Sequence, residues 1–90
     1  MSWQIFVVPN PFTHQLEIMI EHVYAHTSDC IIQLTDENSK IVRMLGTSLR
    51  EGLNLIPITS LHVLPTGLYY LDIKHTTGGH IYRTKVIREV

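Results

Sequence analysis

Apolar and polar residues alternate with a period of two along most of this chain, and turn formers interrupt the alternation every eight to twelve residues. Only an extended strand sends successive side chains to opposite faces, so this rhythm demands strands, and its punctuation demands short ones joined by turns. Residues 15–20 show the pattern most cleanly: Leu16, Ile18 and Ile20 fall on one face, Gln15, Glu17 and Met19 on the other. Such a strand turns one face to a core and the other away from it. No stretch carries the apolar period of a long amphipathic helix.

Seven strands follow from the rhythm. Residues 4–8 form the first, which stops at Pro9-Asn10-Pro11, where two prolines remove ladder donors and hold the backbone extended or turning. The second covers residues 15–20 with room to run on to Val23 or Tyr24, and the third covers residues 30–35, with Ile32 and Leu34 sharing a face. The polar turn Asp36-Glu37-Asn38-Ser39 leads into a fourth over residues 40–45. Residues 46–52 read as a connection. A fifth strand over residues 53–58 puts Asn54, Ile56 and Ile58 on one face, and Pro57 within it predicts an edge position or a missing donor turned outward. Residues 60–64 leave room for a single 3₁₀ turn that tucks Leu61 inward. Pro65-Thr66-Gly67 turns the chain into the sixth strand, residues 68–75, with Tyr69, Leu71 and Ile73 on one face. Thr76-Thr77-Gly78-Gly79 closes a hairpin onto the seventh, residues 81–87, where Tyr82, Thr84 and Val86 oppose Arg83 and Lys85.

Seven short strands in 90 residues predict one domain, residues 1–90, of the all-β class: a seven-stranded immunoglobulin-like antiparallel β-sandwich. The Cys…Trp…Cys spacing of antibody domains is absent, because Cys30 is the only cysteine and Trp3 the only tryptophan. Burial alone must hold the core. Cys30 has no partner for an intramolecular disulfide, and in the run Cys30-Ile31-Ile32 it reads as a small buried hydrophobe.

Little here points to an enzyme or to a cofactor. The six histidines, His14, His22, His26, His62, His75 and His80, lack metal-site spacing: His22 and His26 would converge on a helix but sit in strand or loop sequence. His75 and His80 flank one hairpin without a carboxylate or thiolate to complete a site. Ser28, Asp29 and Cys30 adjoin, yet neighbours on a strand point to opposite faces, so they do not converge. Gly78-Gly79 lacks the following helix of a phosphate cradle. A net charge of −1 argues against nucleic-acid binding, which requires a surplus of basic residues. No apolar run is long enough for a membrane-spanning helix, so no stable membrane insertion is expected, and the first residues lack an export-signal pattern. The charge is unevenly placed: residues 1–39 carry five acidic and no basic side chains, 0 − 5 = −5, and residues 40–90 carry seven basic and three acidic, 7 − 3 = +4. The simplest expectation is that the two ends lie side by side and partly cancel.

A set of motifs in fixed order is more informative. Val8-Pro9-Asn10-Pro11-Phe12 at the first turn is followed by Leu16-Glu17-Ile18-Met19-Ile20, and then by Ile32-Gln33-Leu34-Thr35-Asp36-Glu37-Asn38-Ser39-Lys40-Ile41-Val42. Gly52-Leu53-Asn54-Leu55-Ile56-Pro57-Ile58 comes next, then Leu61…Leu64-Pro65-Thr66-Gly67-Leu68-Tyr69-Tyr70-Leu71, and finally Tyr82-Arg83-Thr84-Lys85-Val86-Ile87-Arg88. In this order and spacing the chain resembles the type A C-terminal sorting domain of the type IX (Por) secretion system of the Bacteroidetes, from about Phe6 to Arg88. Ser39 departs from the pattern, standing where the family usually has Gly, so the turn is expected to avoid a left-handed residue or to use Asn38 instead.

The resemblance implies a non-enzymatic signal at the end of a larger precursor. It implies passage through the periplasm, recognition by an outer-membrane translocon, removal by a sortase-like peptidase, and cargo delivered to the outer-membrane surface or beyond. The family-motif positions are Pro9, Asn10, Pro11, Asp36, Gly52, Asn54, Gly67 and Tyr69. Each also has a physical duty: the prolines fix the exit of the first strand, Gly67 permits the turn into the sixth, Asn54 satisfies backbone groups, and Tyr69 brings a hydroxyl that needs a partner. Arg83, Lys85 and Arg88 on the last strand are the recognition candidates, expected on an outward face without packing duty. The alternative is an immunoglobulin-like or fibronectin-like accessory module of a surface hydrolase, either spacing domains or binding carbohydrate through exposed aromatics such as Tyr70 and Trp3.

Overall fold

The alternation of the sequence becomes alternation of burial. In the second strand Leu16, Ile18 and Ile20 are fully buried, and Glu17, Met19 and Glu21 are not. The computed structural model describes residues 4–23 and 27–90; Trp3, Tyr24 and His26 lie outside the described residues. Seven strands form: β1 (Gln4–Val8), β2 (Leu16–His22), β3 (Ser28–Thr35), β4 (Ile41–Leu49), β5 (Gly52–Ile58), β6 (Gly67–His75) and β7 (His80–Arg88). They make two antiparallel sheets, β1-β2-β5 and β4-β3-β6-β7. The inner faces of both sheets supply the core, with Ile18, Ile20 and Ile58 from one and Ile32, Leu34, Leu71, Ile73 and Val86 from the other. The fold is the β-sandwich the rhythm predicts.

β3 begins at Ser28, before its expected start at residue 30, and β4 runs past its expected end at residue 45. β4 continues through Gly46 to Leu49, and Gly46 pairs with Ile31. The alternation Leu45, Thr47, Leu49 persists across the glycine, so the ladder does too, and the link to β5 shrinks to Arg50 and Glu51. β5 pairs with β2 alone, so Pro57 sits on an edge as its missing donor requires. A 3₁₀ turn over Leu61–Val63 buries Leu61 completely, and the Leu61 amide donates to the His14 carbonyl at 2.9 Å.

The turn between β3 and β4 corrects an expectation. Ser39 itself takes the left-handed conformation, with φ 64°. Asp36 overrides the local preference: its Oδ1 accepts from the amides of Asn38 and Lys40, both at 2.9 Å, and its backbone exchanges bonds with Ser39 and Lys40. Four bonds from one residue leave the chain no other path.

Candidate recognition surface

The first turn and the last strand form a single unit. After β1 the chain leaves the three-stranded sheet and crosses to the outer edge of β7; the Val8–Pro9 and Asn10–Pro11 peptide bonds on the way are both cis. There the Asn10 carboxamide behaves as a piece of strand. Its Nδ2 donates to the Lys85 carbonyl at 3.1 Å and its Oδ1 accepts from the Ile87 amide at 3.0 Å. Phe12 continues the ladder with its own backbone, donating to the Ile87 carbonyl and accepting from the Glu89 amide, each at 2.8 Å. Asparagine suits this position because its side chain carries the same donor and acceptor as a peptide group.

Phe12 secures the arrangement from below. Its side chain is fully buried and meets Tyr69 edge-on, with ring centroids 6.3 Å apart. Tyr69, near the start of β6, donates its hydroxyl to the Pro65 carbonyl at 2.6 Å. This closes the bend between the 3₁₀ turn and β6, as the tyrosine corner of immunoglobulin-type sandwiches does. Burial, reinforced by the Asp36 carboxylate, pushes the Tyr69 hydroxyl pKa up, so it stays protonated and donating. Gly67, with φ 143°, provides a backbone that L side chains rarely adopt.

The registers Thr35↔Tyr70, Gly67↔Arg88 and Phe12↔Arg88 bring these residues to one end of the sandwich, and Asp36, Gly67 and Tyr69 line the same surface depression there. Pro9, Asn10, Pro11, Asp36, Gly67 and Tyr69 therefore cluster. Gly52 and Asn54 do not. Gly52 pairs with His22 at the opposite end, and Asn54 builds the link from β4 to β5 there. Its Oδ1 accepts from the Arg50 amide at 3.1 Å, and its Nδ2 donates to the carbonyls of Arg50, Gly52 and Ile20 at 2.8, 3.1 and 3.3 Å. That is the backbone duty expected of it.

The three basic residues of β7 separate. Arg83 and Lys85 are exposed on the outward face, but Arg88 is only 9 % exposed. The reason is parity: Arg88 shares its face with Val86 and Thr84, so the expected outward row ends at Ile87. Arg88 instead donates to the carbonyls of Glu89 at 2.8 Å and His62 at 3.1 Å, tying the 3₁₀ turn to the end of β7. Arg83 lies opposite Asp72 on β6 at 3.6 Å and spreads its guanidinium over the Tyr70 ring, 4.5 Å from the centroid. His80 meets the same carboxylate at 3.2 Å. Asp72 was not among the expected site residues, although the hairpin register set by residues 76–79 places it directly across from Arg83. The two ends of the chain do lie side by side, but amide hydrogen bonds join them; among the described residues the Arg83 ion pair and the His80 hydrogen bond both use Asp72.

Among the described residues there is no cluster of three or more His, Cys, Asp or Glu side chains fit for a metal ion. Cys30 is fully buried, and desolvation pushes its thiol pKa up, away from the reactive thiolate. No helix among the described residues is long and apolar enough to cross a membrane. The Tyr70 ring face, which a sugar would stack on, carries Arg83.

The sequence from Phe6 to Glu89 matches the family described as "Secretion system C-terminal sorting domain" over residues 6–89. The chain belongs to that family, the sorting domains of type IX secretion. The sorting domain is a non-enzymatic tail, and its presence implies export across the outer membrane. No curated protein matches the chain. Among solved structures, the β-glucosidase of Listeria innocua bound to glucose is similar at 11 % identity and TM-score 0.55, over 99 % of this chain and 16 % of that one. The same enzyme bound to isofagomine gives 13 % identity and TM-score 0.54, over 97 % and 16 %. The sorting domain thus spans about a sixth of these enzymes, and at such identity the likeness speaks for the β-sandwich fold alone.

Proposed function

We propose that the folded domain is itself the address. It is read by the outer-membrane translocon at the end of the sandwich where the first turn is locked to β7, and a sortase-like peptidase then removes it. The cargo travels through the periplasm and ends at the outer-membrane surface or outside the cell. One observation carries this reading: the family match spans residues 6–89, a stretch whose motif-bearing first turn and terminal strand are one hydrogen-bonded unit. A signal of this kind exists only when the chain is folded.

Arg83 and Lys85 supply the charge for recognition. The groups bonded to Asn10 and Phe12 belong to Lys85, Ile87 and Glu89, so the odd-numbered residues of β7 turn their backbone away from β6. Beyond the clamp the backbone of Arg83 faces the same way and is open to an added strand. Pairing along that edge would align a partner's acidic side chains with the exposed cations.

The test fuses residues 1–90 to an exported reporter in a bacterium with a working type IX system. Deleting residues 80–90, and separately reversing charge with R83E/K85E, should each leave the reporter in the periplasm. Undiminished surface delivery of both variants would sink the proposal.

A further inference from the structure

An open strand edge pairs with any strand that fits it, so the chemistry beside the edge must choose the partner. At β7 two exposed cations stand there, and their surroundings differ. Lys85 lies opposite Tyr70, and among the described residues its ammonium has no hydrogen bond or ion pair. It is a point charge on a flexible stem. Arg83 is held on two sides. Its guanidinium lies over the Tyr70 ring, 4.5 Å from the centroid, and its Nη1 is 3.6 Å from Oδ1 of Asp72, directly across on β6. Asp72 is only 4 % exposed, it sits between Gln33 of β3 and Arg83 in register, and the His80 imidazole meets the same oxygen at 3.2 Å. A carboxylate so buried and pinned does not follow a moving cation; it sets where the guanidinium rests. Nε and Nη2 of Arg83 have no protein partner among the described residues.

We propose that Arg83 is the specificity-determining residue of this edge: it takes one carboxylate of the partner strand in a bidentate pair at Nε and Nη2, and Asp72 and Tyr70 are the positioning residues that hold it ready. The inference rests on the reading that β7 is the recognised edge, and it places selectivity in one planar group rather than in the sum of two charges. A guanidinium offers parallel N–H bonds to both oxygens of a carboxylate, and it loses less freedom in doing so when its plane is fixed beforehand. The Tyr70 face fixes the plane. Asp72 engages Nη1 and so leaves the Nε–Nη2 side of the fork for an incoming group. The outward face of β6 and β7 carries Lys74, Arg83 and Lys85 against Asp72 alone, which keeps a positive surplus for an anion. Tyr70, Arg83, Thr84 and Lys85 line one surface depression there. A strand added along β7 sets one side chain beside Arg83 on this face, as β6 sets Asp72 from the other side, and an aspartate or glutamate at that position meets the free side of the fork.

The surface-to-periplasm ratio of the fused reporter, read above the background of the 80–90 deletion, tests it, with urea titration of each purified domain to verify the fold. Arg83→Lys keeps the charge but loses the fork, and should lower the ratio ~10-fold. Lys85→Ala removes a whole charge and should lower it only ~2-fold. Tyr70→Leu should lose more than Tyr70→Phe, which keeps a ring under the guanidinium. Asp72→Asn should lower the ratio ~3-fold in the wild-type domain and no further in an R83K domain, whereas a merely structural Asp72 would lower both by the same factor. The inference is overturned if Arg83→Lys is delivered like the wild-type domain, or if Asp72→Asn lowers both backgrounds alike. R83E/K85E separates the two possible failures. Retention of R83E/K85E with normal delivery of R83K removes the bidentate pair and leaves the reading of β7 standing; normal delivery of both removes that reading as well.

Discussion

β4 and β7 close the same sheet from opposite sides and solve the edge problem in opposite ways. At β7 a side-chain amide and the backbone of Phe12 occupy the outer ladder from Lys85 to Glu89, and cations stand on the strand beyond it. At β4 six uncharged residues are left open. From Lys85 onward one edge is committed to the chain's own first turn, and residues 44–49 of the other are open. The guarded edge carries defined chemistry in a defined place, whereas residues 44–49 carry no charge.

Substitutions should expose that contrast in order of size. Phe12→Ala empties a fully buried site beneath the clamp and should lower stability by about 3–5 kcal/mol in denaturant titration. Asn10→Ala removes two hydrogen bonds to β7 and should cost about 1–2 kcal/mol by the same measurement; Asn10→Asp keeps the acceptor for Ile87 but sets a carboxylate oxygen against the Lys85 carbonyl, so it should lose at least as much. Ser39→Gly relieves a left-handed residue at the entry to β4 and should raise stability by about 0.5–1 kcal/mol, seen as a higher Tm. Met44→Lys touches the bare edge and should leave the stability of the monomer within ~0.5 kcal/mol. A large loss from Met44→Lys, or none from Asn10→Ala, would erase the distinction between the edges.

Strand number, the burial of Leu16, Ile18 and Ile20, the edge position of Pro57 and the tucked Leu61 were all readable from alternation and turn chemistry, because each depends on neighbours close in sequence. The clamp was not. Asn10 and Lys85 are brought together by a crossing between sheets that no local pattern encodes, although the motif order marks both ends of it. At Arg88 charge points outward and parity inward, and parity wins: a strand whose outward row holds Arg83 and Lys85 must turn residue 88 inward. At Ser39 the bonds that Asp36 supplies override local propensity. Asp72 was hidden by its neighbours' hydrophobicity, though the hairpin register opposes it to Arg83.

If the secretion system reads the β7 side of the sandwich, charge reversal there and lysine on β4 must differ in effect. That difference is tested most directly by measuring the surface-to-periplasm ratio of a fused reporter for R83E/K85E and for M44K/S48K in the same host, with folding of both verified. The β7 variant should lose surface delivery while the β4 variant is delivered like the wild-type domain. Equal delivery of the two would contradict that reading.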